Sequence, residues 1–163
     1  MKNRELFLRD PVTTKLANNG QARINDGMSS QEWATLHEEL CSFVCEGQYA
    51  DGILRMVESF VSHIGATNQP AAWVSGFYGS GKSHLLKMLG HLWVNTTFPE
   101  DGVMARSLVP RLPNDVLAIL KELDTRGRQA GGLHAVFGTL PAGGAESVRL
   151  TVLGAILRSK CLP

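Results

Sequence analysis

The sequence has no apolar run near the ~20 residues that cross a bilayer. Its first 30 residues hold no apolar core behind a basic start. The expectation is therefore a cytoplasmic chain with no membrane partner. Cysteine is scarce: Cys41, Cys45 and Cys161 form no C-x-x-C pair and offer no disulfide framework. His37, Cys41 and Cys45 fall in a helical row, but its ends lie roughly 12 Å apart, too far for one metal ion. A strongly basic face is also missing. Residues 1–70 carry six Lys/Arg against nine Asp/Glu, and residues 71–163 carry ten against six. Neither half has the charge that binds DNA by electrostatics alone, so direct contact with DNA stays open. What remains is ordinary: 163 residues, 44% hydrophobic and 19% charged, suffice for one domain with a core.

Residues 76–83 carry the most specific signal. They read Gly76-Phe77-Tyr78-Gly79-Ser80-Gly81-Lys82-Ser83, a complete G-x-x-x-x-G-K-S phosphate-binding pattern. The residue types follow from what a triphosphate requires. Gly76, Gly79 and Gly81 tolerate positive φ and let backbone N–H groups crowd the phosphates. Lys82 sets a charge near the β- and γ-phosphates, and the Ser83 hydroxyl can join a Mg²⁺ shell. His84 follows at the start of the helix that such a loop must open. The expected ligands are ATP and Mg²⁺. Upstream, Ala71–Ser75 reads as a short buried strand. Downstream, Leu85, Leu86, Leu89, Leu92 and Trp93 recur at helical spacing.

Other elements are legible from caps and periodicity. Gln21–Ile24 reads as a short strand, and Ser29-Ser30-Gln31-Glu32 is a capping box. The helix it opens carries Trp33, Leu36, Leu40, Phe43 and Val44 on one face and Glu32, Glu38 and Glu39 on the other. A second helix spans about Tyr49 to Ile64, with Gly65 as its C-cap. Phe98–Gly102 is a turn. A helix from Pro113 turns Val116, Leu117, Leu120 and Leu123 inward, and Leu133–Leu140 reads as a strand. The last helix, from about Ala145 to Lys160, is apolar on most sides and expects burial between layers.

These elements give an α/β order with two or three strands, too few for a covered parallel sheet. The reading is an incomplete, AAA+-like P-loop NTPase three-layer sandwich with an N-terminal helical segment. Residues 1–42 form that segment and residues 43–163 begin the nucleotide-binding domain. The chain is expected to be the N-terminal piece of a longer protein. No strand ends in the acid that holds Mg²⁺ and positions water. Leu117–Asp124 places apolar residues before acids, but its spacing is helical. No catalytic residue is assigned, and turnover by this chain alone is expected to be near background.

Several stretches in order resemble the N-terminus of the BREX phage-defence ATPases of the BrxC/PglY type. They are Arg4–Pro11, Glu39–Val44, Trp73–Leu85 through the glycine loop, Phe98–Gly102 and Leu112–Val116. The aromatic pair Phe77-Tyr78 inside the loop is the more distinctive element. The resemblance implies an ATPase acting with other BREX-system proteins in host DNA methylation and exclusion of phage DNA. Whether copies form a homo-oligomer stays open. In AAA+-like proteins the segment ahead of the first strand often covers the adenine, which here makes Tyr49 the candidate stacker, against a plain packed aromatic. The alternative to an ATPase is a protein-interaction module whose glycine loop is structural or vestigial.

Overall fold

The computed structural model describes residue 12 and residues 28–138 and 148–160, with side chains up to residue 157. The expected strand Gln21–Ile24, the stretch Arg4–Pro11 and Cys161 lie outside these residues. Six helices follow in order among the described residues: α1 (Ser30–Ser42), α2 (Gln48–His63), α3 (Lys82–Trp93), α4 (Ala105–Leu108), α5 (Asn114–Gln129) and α6 (Val148–Lys160).

The caps place the early helices. Ser29 Oγ accepts from the Glu32 N–H at 3.4 Å, while the Glu32 carboxylate accepts from the Ser29 N–H at 2.8 Å. Both halves of the capping box are thus made, and two amides of the first turn are satisfied. α1 stops at Ser42, and the chain runs on extended. Phe43 and Cys45 then face the core, while Val44 points outward. The helical stripe had put Val44 inside; an alternation of period two replaced it. Gly65 takes φ +84° just beyond α2, as a C-cap glycine does.

One core joins these helices. α2 packs along α5, α1 against α4, and α3 against both α4 and α5. Leu36, Leu40, Ile53, Val57, Met88, Leu92, Val116, Leu120 and Leu123 are fully enclosed. Removing that much apolar surface from water is the main driving term. α4 was not anticipated, and it positions the residue that fixes the end of α3. Arg106 donates to the carbonyls of Leu92 and Trp93 at 2.7 and 3.1 Å, and grips Asp124 of α5 at 2.6 and 2.9 Å. One guanidinium thereby satisfies two C-terminal carbonyls and neutralises a carboxylate.

The α/β sandwich is overturned: the chain is helical, and no strand or sheet exists among the described residues. The sole pairing there is an isolated antiparallel bridge between Thr97 and Met104, around the Phe98–Gly102 turn. Residues 71–77 form no regular structure, and Ala71, Ala72 and Trp73 are exposed. A short apolar run does not make a strand without a neighbouring ladder. The described part of the second expected strand, residues 133–138, likewise forms no strand. It lies instead as a strap across two helices, using their glycines. A Cβ on Gly127 of α5 would fall 2.4 Å from Leu133, and one on Gly90 of α3 would fall 1.7 Å from Phe137. Only bare helix backbone admits such close approach.

Burial of α6 between layers is also not found. Val148, Leu150, Val152, Leu153, Ile156 and Leu157 are exposed, while Ala155 is buried beside Gly138. No helix of the described residues is long and apolar enough to cross a membrane.

Candidate phosphate-binding loop

The glycine loop connects residues 71–77 to α3, and two of its three glycines take the left-handed conformation they were read to permit, whereas Gly76 does not. Gly79 and Gly81 have φ of +77° and +79°, in the left-handed region. The Ser80 N–H donates to the Phe77 carbonyl at 3.2 Å and closes the turn. A Cβ on Gly76 would come within 2.8 Å of Ser80 Oγ, the rotatable end of an exposed side chain.

α3 opens directly from this turn, with Gly81 as its N-cap. Its first internal bond runs from the Leu85 N–H to the Gly81 carbonyl at 2.8 Å. The amides of Gly81, Lys82, Ser83 and His84 therefore precede the helical ladder. These are the orphan donors of a helix start, at the positive end of its dipole. Phosphate oxygens are the natural acceptors for such a group.

Lys82 is half-buried and folds back across the loop. Its Nζ donates to the Gly76 carbonyl at 2.9 Å, the Phe77 carbonyl at 2.7 Å and Ser80 Oγ at 3.3 Å. All three ammonium protons are thus held by loop oxygens. A bound phosphate would exchange neutral acceptors for a charged one, a stronger partner for a cation. Ser83 is exposed at the second position of α3, where its hydroxyl can reach a metal on the phosphates. The left-handed glycines, the helix-start amides and the lysine present donors suited to phosphate oxygens.

The remaining site residues are placed differently. Phe77 and Tyr78 project fully into solvent, as does Trp73 upstream. The His84 ring turns away from the phosphate loop and meets Phe43 edge-on, with centroids 5.9 Å apart. Burial pulls its pKa below the ordinary histidine value; the Glu39 carboxylate opposes the shift and the Lys87 charge adds to it. Its backbone N–H alone faces the role that the sequence suggested. Tyr49 approaches the loop through its hydroxyl, which donates to the Ser80 carbonyl at 2.9 Å.

The acids nearest to catalytic candidacy have other partners. Asp124 is gripped by Arg106, and Asp115 accepts from the Val116 N–H at 2.8 Å. The acidic face of α1 proves partly structural, since Glu32 completes the cap and Glu39 pairs with Lys87 of α3. Among the described residues no group of three or more His, Cys, Asp or Glu side chains could hold a metal. Cys45 is enclosed, and burial, with Asp115 and Glu46 adding to it, pushes its thiol up to about 11.

No protein-family model matches the chain, and no solved structure matches it significantly.

Proposed function

We propose that the chain binds Mg-ATP through Gly76–Ser83 and the start of α3. In that reading it is the ATP-binding part of a larger ATPase resembling the BREX phage-defence type, acting with partner proteins in host DNA modification and phage exclusion. The observation that carries the proposal is the Lys82 ammonium folded into a loop whose glycines are left-handed and whose following amides open a helix. Bound Mg²⁺ would offset phosphate charge. Lys82 and the amides of Gly81–His84 would hold the phosphate oxygens, and Ser83 would orient the metal side. The proposal concerns this loop and helix and does not depend on a sheet.

Ligand at 100 times its dissociation constant stabilises a protein by ~2.7 kcal/mol. For a chain of this size that raises the melting temperature by several degrees. Thermal shift with Mg-ATP should show this for the wild type, and Lys82→Ala should remove most of it. Equal shifts in both proteins would remove Lys82 from the site.

Catalysis is a separate expectation. Positioning and charge stabilisation supply nearly all of phosphoryl-transfer catalysis. Asp124 is held by Arg106 and Asp115 accepts from the Val116 N–H, so these two acids have other partners. Phosphate release by this chain should therefore equal that of Lys82→Ala. Lys82-dependent turnover well above background would contradict the assignment of no catalytic residue.

A second reading, an interaction module with a structural loop, is favoured by the exposure of Trp73, Phe77 and Tyr78. It predicts no ATP-dependent shift at all.

A further inference from the structure

We infer that Tyr49 is the positioning residue of the phosphate loop: its hydroxyl fixes the Ser80–Gly81 peptide so that the Gly81 N–H faces the ligand. The inference rests on the phosphate-binding reading of the loop, and the brace itself is formed without a ligand. It differs from stacking on a base, because the hydroxyl rather than the ring face does the work.

Tyr49 is the second residue of α2, 31 positions before Ser80, and belongs to a different element from the loop. Its hydroxyl donates to the Ser80 carbonyl at 2.9 Å. In a trans peptide the carbonyl and the following N–H point in opposite directions. Holding the Ser80 carbonyl toward α2 therefore aims the Gly81 N–H away from α2. That amide has no acceptor among the described residues, although its neighbour, the Ser80 N–H, is already used by Phe77. The donor left over is the one that the brace directs.

Packing gives a second observation. A Cβ on Gly81 would stand 2.9 Å from the Tyr49 hydroxyl oxygen. Glycine at 81 is thus needed twice, for its φ of +79° and for the approach of the phenol. On the opposite side Ser80 Oγ accepts from Lys82 at 3.3 Å. Ser80 is consequently held by α2 through its carbonyl and by the lysine through its side chain. Exposed loops with few packing contacts are the parts that open most easily. Loop residues 75–80 are all exposed; Lys82 ties them to the start of α3, and the Tyr49 hydroxyl ties them to α2.

The test is Tyr49→Phe, which keeps the ring and removes only the hydroxyl. Affinities for Mg-ATP and for Mg-tripolyphosphate, which lacks a base, are measured by calorimetry. Loss of one hydrogen bond that orients the site should weaken both ligands equally, by about fivefold. Unchanged affinity for both would overturn the brace. A Tyr49→Leu variant that loses ATP affinity but keeps tripolyphosphate affinity would also overturn it, in favour of base stacking. A ligand-free arm separates this proposal from the function it rests on. Hydrogen exchange at the Ser80 amide, which is bonded to the Phe77 carbonyl in the same turn, should accelerate in Tyr49→Phe while the helix amides of α2 stay protected. If the wild type bound neither ligand, the ATP reading would fail. Faster exchange confined to the loop would still support the brace, and unchanged exchange would overturn it.

Discussion

Lys87→Met should lower the free energy of unfolding by about 3 kcal/mol, the low end for breaking a buried ion pair. For a chain of this length the melting temperature would fall by roughly 6–12 °C. Lys87 and Glu39 are paired, and their side chains are only 8% and 16% exposed. Removing the ammonium leaves a carboxylate enclosed between α1 and α3 with no compensating charge. The double change Lys87→Met with Glu39→Leu should recover most of the loss, because a packed apolar pair has no desolvation penalty. Denaturant unfolding followed by circular dichroism measures both. A loss under about 1 kcal/mol for the single variant, or equal losses for single and double, would show the pair to be solvated.

That pair also marks what could be read from the chain. α1, α2, α3 and α5 were legible because each carries its own signal. Ser29 and Glu32 make a capping box, Gly65 closes α2, and leucine or valine recurs at helical spacing in all four. Local chemistry suffices for local structure. The glycine loop was legible for the same reason, since its spacing and composition are contiguous.

Long-range partnerships carry no such signal. Glu39 sits on what reads as a solvated acidic face, and nothing near it names Lys87, 48 residues away. Arg106 has no pattern around it, yet it ties α3 to α5. Tyr49 was read through its ring because base stacking is the better-known use of an aromatic near a nucleotide. Its hydroxyl contact depends on how α2 lies beside the loop. The two strands were misread because a run of four to eight apolar residues does not specify what it packs on. At 133–138 the answer was helix backbone at Gly90 and Gly127. Those glycines could have hinted at a crossing chain, since each lowers helix propensity by about 1 kcal/mol relative to alanine.

Acid should destabilise the fold through His91, by about 3 kcal/mol between pH 6.5 and pH 4. The ring is 6% exposed, and its Nδ1 lies 3.0 Å from Thr96 Oγ1. Its Nε2 is buried without a partner among the described residues. Burial, with the Lys87 charge second, lowers the pKa from 6.5 to about 4. An imidazolium there would hold a buried N–H with no partner among the described residues. The folded protein therefore keeps the ring neutral, while the unfolded chain takes up a proton as pH drops through 6.5. More protons on the unfolded state means that stability falls with falling pH across this window. The contribution is complete above pH 6.5 and gone below pH 4. His91→Leu should flatten that part of the profile relative to wild type, although the carboxylates titrate in both. Parallel profiles for the two proteins would mean that His91 charges without cost in the fold.

The central claim is that the amides at the start of α3 and Lys82 hold phosphate oxygens. An NMR titration of the ¹⁵N-labelled protein with Mg-ATP reads those amides one by one. The account predicts saturable shifts that are largest at Gly79, Gly81, Lys82 and Ser83, and absent from Lys82→Ala at the same ligand concentrations. Shifts of equal size in both proteins, or a response centred away from residues 76–84, would contradict it.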